Sequence, residues 1–300
     1  MDQDLHKILS VPFMLKLKEL MLDEVLIDDL DRVYLPLANL ISVGLNTNAS
    51  MQVIGINGAQ GAGKTTFCTL MKLVLEQGFG LKVLSLGIDD LYLSRADRER
   101  LAQTIHPLLA TRGVPGTHNV HQGIELLNAL HNAAPDTQTR IPRFNKAVDD
   151  PFPESQCDVF VGRPDVVLFD GWFMGAREQP IADLIVPVNQ LEEVEDAEAI
   201  WRTYVNLQLK TVYNALFDQL SLLVMLQVPS FEKVYEWRTL QEQKLRMTTA
   251  GQTNLRIMDD EALRRFISHY ERLTRWMLKD MPARVDMLFK VNDDHRICLP

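Results

Sequence analysis

Gly58-Ala59-Gln60-Gly61-Ala62-Gly63-Lys64-Thr65 brings glycines, a lysine and a hydroxyl together at fixed spacing. The pattern is that of a phosphate-binding loop: Gly, four residues, then Gly-Lys-Ser/Thr. Glycines let the backbone wrap tightly enough for successive N–H groups to point at phosphate oxygens. A helix starting at the loop would add its positive end. Lys64 is then placed to reach the outer phosphates, and the Thr65 hydroxyl to ligate Mg²⁺. The loop, with Thr66 beside it, is a candidate nucleotide site.

Acids and bases recur at other points of the chain. Asp89 and Asp90 follow the apolar run 81–88. Asp89 there suits either proton acceptance from a substrate hydroxyl or a share in holding Mg²⁺, and a pair of helix-capping acids reads equally well. Val166-Val167-Leu168-Phe169-Asp170 is an apolar run ending in an acid, which is how a strand presents a carboxylate to Mg²⁺. Residues 111–119 are rich in turn formers and carry Arg112 and His118, and 140–146 holds Arg140, Arg143 and Lys146. By itself the second segment reads as a solvated basic loop. In an acidic chain it also reads as a local anion site. Arg238, Lys244 and Arg246 lie on one helical stretch whose cations could close over phosphates, or could be plain surface charge.

These groups need a scaffold of strands and helices. Val53-Ile54-Gly55-Ile56 has strand length, and Phe67, Leu70, Met71, Val74 and Leu75 recur at helical spacing after the loop. The runs 81–88, 166–171, 222–226 and 285–291 predict further strands, separated by helical patterns. Strands alternating with helices predict an α/β fold with a mostly parallel, doubly wound sheet, whose ligands bind beyond the carboxyl ends of the strands. Residues 1–48 predict a helical extension, with Pro36 interrupting its second apolar segment, and 49–300 the main domain. Residues 147–163 predict an exposed loop, 191–217 a helical and acidic solvated face. The stripe Leu263, Phe266, Ile267, Tyr270, Leu273 and Met277 predicts a core helix.

The 300 residues, 46% hydrophobic and 24% charged, suit one large α/β domain with a substantial core. A net charge of -9 argues against nucleic acid as a partner, since its backbone demands a basic face. Cys68, Cys157 and Cys298 are odd in number and far apart, which predicts reduced thiols and a cytoplasmic setting. The start lacks the basic and apolar regions of a signal peptide, and no apolar run is long enough to span a bilayer. The expected partner is therefore a small molecule, with no membrane, and a monomer is favoured.

Taken together, the motifs resemble those of the D-glycerate 3-kinases of the plant type and their yeast and bacterial P-loop relatives. More distantly they resemble uridine kinase, pantothenate kinase and phosphoribulokinase. The similarity is carried by the loop 58–66, Ile88-Asp89-Asp90-Leu91-Tyr92-Leu93, Arg112-Gly113 with Gly116-Thr117-His118, and Ile141-Pro142-Arg143-Phe144-Asn145-Lys146. It continues in Val167-Leu168-Phe169-Asp170-Gly171-Trp172, Val234-Tyr235-Glu236-Trp237-Arg238, and Asp260-Glu261 with Phe266 and Tyr270. The resemblance implies a P-loop kinase fold, ATP and Mg²⁺, and phosphoryl transfer to a hydroxyl of a small organic acid, with D-glycerate foremost. It implies that Asp89 is the base or metal-associated carboxylate, and that Lys64 and Arg238 stabilise charge on the transferring group. Tyr92, Arg112, His118, Arg143 and Lys146 would surround the acceptor, with Thr65, Asp89 and Asp170 about the metal. The chain departs from the family pattern at two positions, Asn119 for Asp in the acceptor region and Asp170 for Glu.

A nucleotide-hydrolysing switch is the chief alternative. Asn145-Lys146 begins a guanine-reading pattern, but position 148 is valine and the acid falls one place late, at Asp149. No switch glycine of the DxxG type follows Asp170. An inactive nucleotide-binding module is opposed by the presence of Lys64, Thr65, Asp89 and Asp170 together.

Overall fold

Alternating apolar side chains in the predicted strands face two separate cores. The computed structural model describes residues 2–48, 50–248 and 260–298. The strands are β1 (Gln52–Gly58), β2 (Val83–Gly87), β3 (Gln138–Ile141), β4 (Phe144–Asn145), β5 (Asp150–Pro151), β6 (Asp158–Val161), β7 (Val166–Gly171), β8 (Leu222–Gln227), β9 (Met287–Val291) and β10 (Ile297–Cys298). The central sheet has the order β10-β9-β8-β1-β7-β2, parallel throughout except for β10. Ile54, Ile56, Val166, Leu168 and Val224 face one core, and Val53, Val167, Phe169, Leu84 and Met225 face the other. This is the period-two alternation of a sheet covered on both sides.

The first core is closed by α1 (Asp2–Glu19), α2 (Leu35–Asn48) and α3 (Lys64–Phe79). Leu9, Phe13 and Leu17 of α1 and Leu37 and Ile41 of α2 have no exposed surface. Rings link these layers, Phe13 to Tyr34 at 5.2 Å, Tyr34 to Phe67 at 5.3 Å and Phe67 to Phe289 at 5.9 Å. Residues 9–41 thus supply part of the main core. Pro36 does not interrupt the second segment. It falls in the first turn of α2, directly after a π-helical turn, Leu30–Tyr34, where the Leu35 N–H bonds the Leu30 carbonyl.

Next in the chain come α4 (Arg95–Thr104), α5 (Val120–His131), α6 (Gln190–Glu195), α7 (Ile200–Gln208), α8 (Asn214–Phe217), α9 (Phe231–Thr248) and α10 (Asp260–Asp280). Of these, α5 and α10, with the segment 172–176 and residues of 209–217, cover the second face. The acidic stretch near 191 is not a solvated face throughout. Glu192 is fully buried and takes Arg272 in a two-pronged pair at 2.7 and 2.6 Å. Asp196 is buried against Arg202 at 3.1 Å and the N–H groups of Trp201 and Arg202. Periodicity could not show this, because both acids are matched by arginines that only packing brings near. Nor is 147–163 a plain loop: β5 and β6 pair antiparallel with β4 and β3. No helix among the described residues is long and apolar enough to cross a membrane.

Candidate active site

The chain between β1 and α3 is the phosphate-binding loop. Gly61 and Gly63 have φ values of 84° and 86°, the left-handed region that glycine enters without steric cost. A side chain on Gly61 would also meet Trp237 at 3.2 Å. The Lys64 ammonium donates to the carbonyls of Gly58 (2.6 Å) and Ala59 (3.2 Å), so it lies folded across its own loop. His295, in the turn before β10, packs tilted against Trp237 with centroids 4.1 Å apart and bonds the Gly61 carbonyl at 3.0 Å.

Sheet register then delivers the acids. Asp170, near the end of β7, pairs with Ile56 on one side and Gly87 on the other. It therefore stands level with the residue two before Gly58, at the end of β1, and two before Asp89, just beyond β2. Beyond β2 the chain turns through a 3₁₀ segment, Ile88–Leu91, in which Asp90 accepts the Gly87 N–H at 3.2 Å. The acids do not cap the following helix, a task that falls to Ser94. Asp89 points the other way, accepting from Tyr92 Oη at 2.7 Å and from Lys146 Nζ at 2.8 Å.

One cleft of about 620 Å³ gathers these groups, lined by Gln60, Gly61, Lys64, Thr65, Asp89, Asp90, Tyr92, Arg112, Arg143, Lys146, Asp170 and Arg238, among others. Three of the cations meet an acid: Arg143 bonds Asp90 at 2.9 Å and Asp158 at 3.1 Å, Lys146 bonds Asp89, and Arg112 bonds Asp149, whereas Arg140 is exposed and donates to the Glu154 carbonyl at 3.0 Å. Asp149 is also gripped at 2.9 Å by Arg98, which is 1% exposed and ties three backbone carbonyls together. The basic segment is thus a cleft wall with its cations already oriented, not a freely solvated loop.

Charge in the cleft is finely set. Burial raises Asp170 to about 6, with Lys64 opposing and Asp89 and Asp90 adding to the rise. Burial also pushes Asp89 up, but Lys146 and the Tyr92 hydroxyl outweigh it and hold the carboxyl below its usual range. Lys64 is drawn down by burial, with Asp170 and Asp89 restoring part of the loss. A cation beside Asp170 would favour its charged form and offset the rise. The oxygen donors Thr65 and Asp170 suit Mg²⁺, as does Asp89. Among the described residues no group of three or more His, Cys, Asp or Glu forms a metal cage, so a bound ion would complete its shell with phosphate and water.

Two expectations change. His118 does not line the cleft. It is buried behind Tyr92, with ring centroids 4.5 Å apart, because burial of a neutral ring fills the space under the wall. Asn119 is exposed and caps α5 by accepting the Gln122 N–H at 3.2 Å, a role that Asn and Asp fill alike. The side chains of Lys244 and Arg246 lie outside the described residues. Phe266 and Tyr270, predicted as core, form part of the lining, and the Tyr270 hydroxyl donates to the Arg112 carbonyl at 3.2 Å. Their stripe gave no sign of it, since a helix edge facing a cleft has the same spacing as one facing a core.

The fold is that of the P-loop kinases. In sequence the chain is similar to the "Uncharacterized kinase mug58" of Schizosaccharomyces pombe, 29% identical over 229 residues, 73% of this chain and 78% of that one. It is also similar to the "Probable ATP-dependent kinase TDA10" of Saccharomyces cerevisiae, 28% identical over 234 residues, covering 72% and 74% of the two chains. In structure it is similar to the D-glycerate 3-kinase of Cryptococcus neoformans, with a TM-score of 0.70 at 23% identity over 89% of this chain and 97% of that one. No protein-family model matches the chain.

Proposed function

We propose that this protein is an ATP-dependent kinase that phosphorylates a hydroxyl of a small organic acid, with D-glycerate the foremost acceptor. The observation that carries this reading is a single cleft in which the phosphate loop and Asp170 meet Asp89 and the cations Arg112, Arg143 and Lys146. These cations, already oriented by their own acids, offer an acceptor carboxylate charge-assisted hydrogen bonds that a neutral acceptor would not use. The similarity in fold to a D-glycerate 3-kinase supports the choice of acid.

When bound, the nucleotide supplies the phosphoryl group and Mg²⁺ draws charge from it. Lys64, with its amine already over the loop, would move its hydrogen bonds from the Gly58 and Ala59 carbonyls to phosphate oxygens. Arg238, which also lines the cleft, would neutralise charge developing on the transferring group. Asp89 would orient the acceptor hydroxyl and take its proton, while Tyr92 and Lys146 keep the carboxylate ionised. Arg112 and Arg143 would hold the acceptor's carboxylate.

Pantothenate is a second reading. The pantothenate kinase of Lacticaseibacillus casei is 25% identical over 167 residues, half of each chain, and pantothenate too carries a carboxylate and a hydroxyl. ADP release with Mg-ATP, measured with D-glycerate, L-glycerate, pantothenate, uridine, ribulose 5-phosphate and no acceptor, tests both. Stimulation by D-glycerate is expected. Stimulation by pantothenate alone would transfer the assignment, and acceptor-independent turnover would favour a nucleotide switch.

A further inference from the structure

Behind the cleft wall lies a set of buried polar rings that the transfer reaction never touches. Tyr213 has no exposed surface and ends a π-helical segment, Leu209–Tyr213. Such wide turns interrupt a helix at some cost and occur often at functional sites. The Tyr213 hydroxyl accepts the Gly116 N–H at 2.9 Å and meets His118 Nδ1 at 2.7 Å. With one lone pair given to Gly116, its own proton goes to Nδ1, and His118 carries its hydrogen on Nε2, which is buried without a partner. The other tautomer would leave both the hydroxyl proton and the Nε2 lone pair unpaired.

His118 then acts on Tyr92. The rings stack with 29° between their planes, and the backbones are joined by Leu93 N–H to the Thr117 carbonyl (3.0 Å) and Asn119 N–H to the Leu91 carbonyl (2.7 Å). Tyr92 in turn donates to Asp89 Oδ1 at 2.7 Å. Asp89 Oδ2 is held by Lys146, whose side chain is 61% exposed, a pair that solvent loosens. The firm restraint on the carboxylate therefore comes from the buried side.

We propose that Tyr213 is a positioning residue which, through His118 and the Tyr92 ring, fixes the direction of the Asp89 carboxylate in the cleft. The inference rests on the kinase reading above, and its test separates the two. Tyr213→Phe deletes one hydroxyl and keeps the ring. It should lower kcat with the best acceptor by about three- to tenfold, the range of one lost hydrogen bond, and leave the KM for Mg-ATP within about twofold. In an Asp89→Asn background, followed by single turnover, the same change should have almost no further effect, because coupled residues are not additive. His118→Phe keeps a stacked ring and cuts the same link, so it should lose the same factor and supplies the answer should Tyr213→Phe fold poorly. A wild-type kcat in both variants overturns the proposal, as does an equal loss with and without Asp89. If the wild-type protein shows no acceptor-stimulated ADP release, the kinase reading fails and the inference goes with it.

Discussion

At the scale of the residue, the cleft is organised by which charges are shared and which are held apart. Asp89 serves Tyr92 and Lys146 at once, so its loss should be felt in the transfer step rather than in nucleotide binding. Asp89→Asn is expected to lower kcat by about a hundredfold or more while the nucleotide's affinity changes little, as read by steady-state kinetics beside equilibrium nucleotide titration. Comparable losses in both would assign Asp89 to the metal alone. The cations divide differently. Arg112 has its acid, Asp149, outside the residues lining the cleft, so Arg112→Ala should raise the acceptor's KM by about ten- to a hundredfold and leave that for ATP unchanged. Lys146 is bonded to Asp89 itself, and Lys146→Ala should therefore depress kcat as well as raise the acceptor's KM. Separate initial-rate series in the two substrates distinguish these patterns.

At the scale of the element, α1 and α2 are part of what positions the loop. Phe13 of α1 packs edge-on to Tyr34, and Tyr34 packs on Phe67 in the first turn of α3, the helix that begins at the phosphate-binding loop. Phe13→Ala opens a cavity in a fully buried site and should cost about 3–5 kcal/mol, seen as a lower denaturant midpoint for the whole cooperative transition. A separate early transition with the main one unmoved would instead make residues 1–48 an independent unit.

For the molecule as a whole, stability should fall on the acid side. Burial holds His118 at about 3 and His269 at about 4, against an ordinary 6.5. Both folded values are depressed, so this stabilisation is complete above pH 6.5 and is lost as pH falls through the window toward 4 and 3. Asp170 works in the opposite sense. Its folded value is raised from 3.8 to about 6, so it favours the folded state as pH falls through that interval. The two imidazoles outnumber this one raised carboxyl, so together the three groups make stability rise with pH between those limits. Urea titrations across pH 4 to 6 should show this rise, and His269→Phe, whose side chain does not line the cleft, should make it shallower. An unchanged slope in that variant would place the titration elsewhere.

The sequence by itself determined the phosphate loop, the parallel α/β sheet and the acid at the end of β7, because these depend on neighbours along the chain. Glycine spacing, an apolar run of strand length and a helical stripe are local patterns. It offered Asp89, Arg112, Arg143 and Lys146 only through the resemblance to kinase motifs, since by themselves the acids read equally well as helix caps and the 140–146 cations as a solvated loop. The tertiary structure alone decided how they are used. Only the sheet register brings Asp170 between Ile56 and Gly87, and only the β4–β5 turn carries Lys146 to Asp89. His118 could not be told from a contact residue, since what distinguishes it is the Tyr92 ring lying between it and the cleft. Glu192 and Asp196 looked solvated for the same reason: their arginines, 80 and 6 residues away, declare themselves only once α6, α7 and α10 are packed. A charge's environment is set by what folds against it, and hydrophobic periodicity carries no record of that.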